Sequence, residues 1–260
     1  MKTMAWLCGS LLTLSASAAF ADNQNSIGMT FVSISAGSFE QGCDEVSSHC
    51  EGRATPKHSV RIERSFSVST TEVTQAQWQA VMAYPVGEFH HLDEPVDLVS
   101  YADVQAFLAA LNTKENCQGC YRLPTESEWE YLASSGGNSF KQAYYGHKVG
   151  GPRRVALGKP DRNGLYDVLG NVAEWTQDWY RKDQYQQSNP SQAPSSGELK
   201  VVRGGAWNTP VYAVSPVIRR FETPDTAKQG LGFRVVRDTS GGNGGSLIQN
   251  AEPAVRMPEY

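Results

Sequence analysis

The segment Val201–Asp225, VVRGGAWNTPVYAVSPVIRRFETPD, has no cysteine, no histidine and no serine with a base beside it. A thiolate or imidazole nucleophile is therefore excluded there, and so is a soft-metal site. The chain also lacks any basic block. Lys and Arg number 23 against 27 Asp and Glu, a net charge of −4, so the positive stripe that a nucleic acid requires is absent. Beyond the first residues no apolar run is long enough to span a bilayer.

What is present begins with a targeting pattern. Lys2 precedes the run MAWLCGSLLTLSASAAFA, which is too short and too rich in Ser and Thr for a membrane span and ends in the small-x-small pattern Ala19-Phe20-Ala21. Residues 1–21 are expected to be a signal peptide, placing the product in the periplasm or outside the cell. Cys8 lacks the flanking residues of a lipid-anchor site.

Four further cysteines form two close pairs, Cys43 with Cys50 and Cys117 with Cys120. Four cysteines allow three connectivities, and in an oxidising compartment local disulfides are the expected outcome over a zinc or redox site. The histidines, His49, His58, His90, His91 and His147, are scattered rather than spaced as ligands, and the His90-His91 pair reads as a surface turn. With 24 Gly, 13 Pro and 10% aromatics, the composition suits a turn-rich α+β globule held by large anchors.

Alternation in MTFVSISAGSFEQG and HSVRIERSFSVSTTEVT predicts strands. Three short helices follow, each opened by a hydroxyl with a polar residue three positions later: Thr74 with Gln77, Ser100 with Asp103, Thr125 with Glu128. Val104, Phe107, Leu108 and Leu111 mark one buried face of the second helix; Trp78, Val81 and Met82 mark the first, and Trp129, Leu132 and Ala133 the third. From Gly136 to Tyr166 the pattern fades into Gly- and Pro-rich turns, whereas LKVVRGGAW and LGFRVVRD read as closing strands. Residues 239–260 have the composition of a flexible tail.

Taken in order, GMTFVSISAGSFEQG, TEVTQAQWQAVM, PVDLVSYADVQAFLAAL, YRLPTESEWEYLA, NGLYDVLGNVAEWTQDWY, VVRGGAWN and GLGFRVVRD resemble the formylglycine-generating enzyme, or sulfatase-modifying-factor, family. The resemblance implies a single compact domain over residues 22–238, C-type-lectin-like, with little regular secondary structure. It also implies where catalysis would reside. The family's oxidases hold copper(I) on two cysteines a few residues beyond Arg-Gly-Gly, and copper(I) needs soft thiolates. Here Arg203-Gly204-Gly205 is followed by Ala206-Trp207-Asn208-Thr209-Pro210 and no cysteine. No copper is expected, and formylglycine generation by that route is not expected either.

The resemblance further implies a structural calcium ion on the Asp167 and Glu174 side chains and the Gly170 and Val172 carbonyls. Two carboxylates seven residues apart around a Gly-Asn turn can converge hard oxygens on such a cation. The family's second calcium segment lacks its ligands here.

Two function classes follow. One is a non-catalytic binding module for a protein or peptide partner in the envelope, of inhibitor or immunity type, with Trp207, Asn208, Tyr212, Arg219 and Arg220 lining the former substrate groove. The other is an oxidoreductase maturing a secreted peptide, with Glu222 or Asp225 as a base held by Arg219 and Arg220. In the bland alternative Trp207 is core and the arginines pair with nearby acids.

Overall fold

A computed structural model describes residues 23–44, 50, 52–87, 91–137, 143–147 and 150–238. The signal segment, the tail, His49 and His90 lie outside the described residues.

The alternating N-terminal stretches form β1 (Phe31–Ile34), β2 (Gly37–Gln41), β3 (His58–Ile62) and β4 (Phe66–Ser69). β2 and β3 make an antiparallel hairpin, and β1 pairs antiparallel with β4 in the register Phe31 to Ser69. β4 is a central strand, with β10 (Val236–Arg237) on its other edge and β5 (Tyr121–Arg122) beyond it, and all four of its residues are buried.

Three helices follow β4: α1 (Gln75–Met82), α2 (Tyr101–Lys114) and α3 (Glu126–Ser135). Each starts at its expected hydroxyl. Thr74, Ser100 and Thr125 accept from the third backbone amide while Gln77, Asp103 and Glu128 reach back to the cap. Each such arrangement satisfies two otherwise orphaned backbone donors and contributes about 1 kcal/mol. All four expected core residues of α2 are buried, as are Trp129, Leu132 and Ala133 of α3. Of the three expected in α1, Trp78 is fully buried, whereas Val81 and Met82 pack at the margin of the core.

Among the described residues the core holds two large apolar clusters and a small one of Cys43, Ala54 and Tyr185. Trp78 stacks on Phe107 at 5.3 Å, Phe107 meets the edge of Phe233 at 5.3 Å, and this group joins α1, α2 and Trp175. The second cluster sets Trp129 and Leu132 of α3 against Val60, Phe66, Val68, Leu165 and Leu169. A second four-stranded sheet, whose Trp175, Val202 and Leu231 join the first cluster, is ordered β8 (Arg220–Glu222), β7 (Lys200–Arg203), β6 (Ala173–Trp179) and β9 (Leu231–Gly232).

β6 is a strand that the aromatic-rich LYDVLGNVAEWTQDWY did not announce, because its buried residues do not alternate: Glu174, Trp175 and Thr176 are all inaccessible. The expected closing strand LGFRVVRD is split, its first two residues joining β6 in one sheet and Val236-Arg237 joining β4 in the other. Disulfides join Cys43 to Cys50 and Cys117 to Cys120.

Candidate functional site

The loop entering β6 curls on left-handed backbone at Asp167 (φ 51°), Gly170 (φ 85°) and Asn171 (φ 56°), residue types that tolerate this region. At Gly170 a side chain would collide with the Tyr144 backbone. Hydrogen bonds from Gly170 N to Gly204 O (3.3 Å) and from Trp207 N to Asn171 O (2.8 Å) bind this loop to the Arg-Gly-Gly segment, and one from Asn171 N to Tyr144 O (2.8 Å) binds it to Tyr144.

The two expected carboxylates are held by protein donors. Asp167 Oδ1 accepts from Arg153 Nη2 at 3.1 Å and Oδ2 from the Ala156 amide at 2.8 Å. Glu174, fully buried, accepts Arg234 Nε on both oxygens at 2.8 Å and Trp129 Nε1 on Oε2 at 2.7 Å. Arg234 also donates to the Ser69 and Tyr166 carbonyls.

A third carboxylate, Glu72, was not anticipated from sequence because TEVT reads as the lead into α1. It is fully buried, its Oε1 lies 3.5 Å from the Val172 amide, and its Oε2 has no hydrogen-bond partner. Burial pushes its carboxyl well above the ordinary range, with the nearby charges of Asp167 and Glu174 adding to the rise and Arg234 opposing it.

Three carboxylates thus gather where Arg234 is the fully buried cation and Arg153 a half-buried one. An orphaned buried oxygen of Glu72 beside the Asp167 loop is of the donor type that a hard, oxygen-seeking cation such as calcium takes. The fit differs from the expected donor set in one respect. Glu174 is saturated by Arg234 and Trp129, so Glu72 is the carboxylate with spare capacity. Among the described residues no three His, Cys, Asp or Glu side chains form a group that could hold a metal ion.

A copper(I) site does not fit. Residues 204–218 contain no thiol, and all four described cysteines are tied in disulfides remote from this segment in sequence.

The expected binding surface separates into buried and exposed parts. Trp207 is only 4% exposed and belongs to the core, and Arg219 is fully buried, so neither lines an open groove. Asn208 and Tyr212 face solvent, Tyr212 at 71%, and Arg220 is half-buried on β8. Val211, 55% exposed, joins Tyr212 on a single 3₁₀ turn, Val211–Ala213. The expected carboxylate base is likewise not assembled: Glu222 pairs with Lys228, Asp225 is exposed, and Arg219 reaches α3 instead.

Arg219 belongs to a second ionic cluster. It grips Glu126 through Nε (2.7 Å) and Nη2 (2.8 Å), while Arg203 donates to Glu126 at 2.9 Å and to Glu130 at 2.6 Å. Glu130 Oε1 also takes the Gly42 amide at 2.6 Å. Arg219 Nη1 caps the Arg53 and Arg181 carbonyls, and its guanidinium lies 4.4 Å from the Tyr185 ring centre. Burial alone would raise the Glu126 carboxyl, yet Arg219 and Arg203 outweigh it and hold Glu126 below the usual range. The cluster is charge-balanced and ties α3 to β7, β8 and the disulfide-bearing loop.

Comparison with known proteins agrees with this architecture. The sulfatase-modifying factor enzyme 1-like domain model matches residues 16–239. The formylglycine-generating enzyme of Mus musculus is 28% identical over 194 residues, covering 64% of this chain and 50% of that enzyme. The inactive C-alpha-formylglycine-generating enzyme 2 of Bos taurus is 31% identical over 192 residues, covering 62% and 56%. The chain therefore spans about half the length of these curated relatives. The structure of PvdO from Pseudomonas aeruginosa superposes with a TM-score of 0.74 at 23% identity, over 82% of this chain and 96% of that one, which shows the shared fold. On the family match and the fold together, the chain belongs to the sulfatase-modifying factor enzyme 1-like domain family.

Proposed function

We propose that the chain is an exported, calcium-stabilised, non-catalytic binding module for a protein or peptide partner in the envelope. One observation carries this reading. Where the family's oxidases place copper-binding thiols, this chain has a short turn that presents Val211 and Tyr212 to solvent beside Asn208. A tyrosine more than half exposed on a turn is a typical interface anchor, with the exposed Val211 beside it adding apolar contact. The inactive bovine relative supports the idea that the scaffold persists without the oxidase chemistry.

Calcium would bind at the loop entering β6, held by Asp167, by the Gly170 and Val172 carbonyls and by a carboxylate, Glu72 being the one with an unused oxygen. When bound, the ion would supply charge neutralisation and rigidity. The two disulfides and the expected signal peptide support an oxidising, extracytoplasmic location.

The test is capture from envelope extract with the mature chain, its Val211→Asp/Tyr212→Ala variant and a distant surface variant, with bound proteins identified by mass spectrometry. A partner retained by wild type and the distant variant, and lost at least tenfold by the turn variant, is expected. Equal retention by all three would remove the turn as the binding surface.

A further inference from the structure

Charge is unevenly placed around the Tyr212 turn. The chain as a whole carries 27 acidic residues against 23 basic ones, yet residues 204–218, which contain the turn, hold no charged side chain. Residues 150–160 hold Arg153, Arg154 and Lys159 and no carboxylate.

Hydrogen bonds set these two segments side by side. The Trp207 amide donates to the Asn171 carbonyl (2.8 Å) and the Arg153 amide to Asn171 Oδ1 (2.9 Å), so both backbones meet on one residue. Residues 143–147 lie alongside: Gly146 N donates to Thr209 O at 3.0 Å and His147 N to Trp207 O at 2.9 Å. There the exposed His147 ring sits 4.2 Å from the Tyr144 ring, which the Arg153 guanidinium covers at 4.9 Å.

The cations differ in what they have left to offer. Arg153 already serves Asp167. Arg154 and Lys159 are exposed, and neither forms an ion pair among the described residues. Leu157, between them in the chain, is 62% exposed. The carboxylates bordering the loop are engaged. Asp93, whose carbonyl takes the Val155 amide, has its side chain 3.4 Å from His91 Nδ1, and Asp161 accepts the Asn163 and Leu165 amides at 2.8 Å each.

Two unpaired cations beside exposed apolar and aromatic side chains are complementary to carboxylates set next to apolar residues. From Tyr212 back to Trp207 is five residues, at most about 18 Å, and Asn171 bridges from there to the Arg153–Arg154 backbone; an extended ten-residue segment, about 33 Å long, reaches both ends. A bilayer fits less well, because one leucine buries far less than a myristoyl chain, which itself anchors only marginally.

We propose that the Tyr212 turn and the loop carrying Arg154 and Lys159 together take an acidic peptide segment, its carboxylates on the two cations and an apolar residue against Tyr212. The proposal rests on the peptide-binding reading and adds the partner's charge, which that reading leaves open.

The test is titration of the 15N-labelled chain at low salt with three N-acetylated, C-amidated decapeptides, watching the amide signals of Gly146, Arg154 and Tyr212. The acidic probe is Gly-Asp-Glu-Gly-Leu-Phe-Gly-Asp-Glu-Gly; the others replace Asp and Glu by Asn and Gln, or by Lys throughout. Saturable shifts are expected with the acidic probe, at least fivefold weaker with the amide probe and absent with the Lys probe. Affinity for the acidic probe should fall at least fivefold in Arg154→Glu/Lys159→Glu with an unchanged thermal midpoint, since both positions are exposed. Unaltered affinity in that variant, or no shift with any probe, overturns the proposal. So does sedimentation of the chain with phosphatidylglycerol vesicles while the acidic probe shifts nothing. Equal binding of the acidic and amide probes, both lost in Tyr212→Ala, would remove the acidic preference and leave the peptide-binding turn in place.

Discussion

Two buried ionic clusters of the molecule behave differently. In the first, Glu126 and Glu130 of α3 face Arg203 and Arg219, two charges against two, and both carboxylates are hydrogen-bonded. In the second, Glu72, Asp167 and Glu174 share Arg234 with Arg153 at the rim, and one carboxylate oxygen has no partner. Burying a charge is tolerable only when it is paired and hydrogen-bonded. The first cluster meets that condition from the chain's own side chains; in the second, burial and the charges of Asp167 and Glu174 push the Glu72 carboxyl well above its ordinary range, so Glu72 favours its protonated form unless a cation joins it.

The sharpest way to break this contrast is to unbalance the first cluster. Arg219→Met leaves Glu126 with Arg203 alone in a buried site, and a loss of about 3–5 kcal/mol is expected in urea unfolding. Adding Glu126→Gln should recover part of that loss. A cost of Arg219→Met below about 1 kcal/mol would mean the cluster is more hydrated than its burial implies.

The second cluster should respond to an ion where the first does not. Calcium at about one hundred times its Kd is expected to add about 2.7 kcal/mol to wild-type stability. Asp167→Ala should abolish that increment. Glu72→Gln supplies a donor in place of an orphaned oxygen, so it should stabilise the calcium-free chain and shrink the increment. An increment equal in wild type and Asp167→Ala, measured by thermal unfolding with calcium and with chelator, would place the ion elsewhere.

A smaller effect separates the clusters from the groups around them. Burial, with Glu126 and Glu128 nearby, raises Asp178 to about 6, against 3.8 for the free side chain. Its folded value lies above its unfolded one, so its contribution to stability is full below about pH 4 and is lost as pH rises through 6. Lys200, lowered to about 8 by burial over the Trp179 and Tyr101 rings, acts oppositely: its contribution is full above about 10.5 and lost as pH falls through 8. The stability of wild type minus that of Asp178→Asn should therefore fall between pH 4 and 7. A flat difference over that range would mean Asp178 is better solvated than its position suggests.

The smallest effect concerns the exposed turn. Tyr212→Ala should change stability by less than about 0.5 kcal/mol, since the ring packs on little and faces water. A larger loss would show that the turn supports the fold and is not a free anchor.

Local chemistry written in neighbouring residues was legible. The three capped helices, the two short disulfides and the core face of α2 follow from spacings of three to seven residues, where backbone donors and Cβ directions leave few choices. β6 escaped notice because a strand buried on both faces shows no alternation. The paired roles of Arg203 and Arg219 with Glu126 and Glu130 were hidden because more than seventy residues separate the partners. For the same reason Trp207 and Arg219 were expected on a surface and lie in the interior.

By itself the sequence determined that this chain carries the scaffold of its family without thiols beyond Arg-Gly-Gly, since the presence or absence of a donor atom is a property of composition. Only the tertiary structure decided which charges are balanced and which polar atoms lack partners. Glu72 meets Val172 across one hundred residues, and Gln41 and Gln184 line one small space from opposite halves of the chain. Burial and pairing depend on what the fold brings together, and no local pattern encodes that.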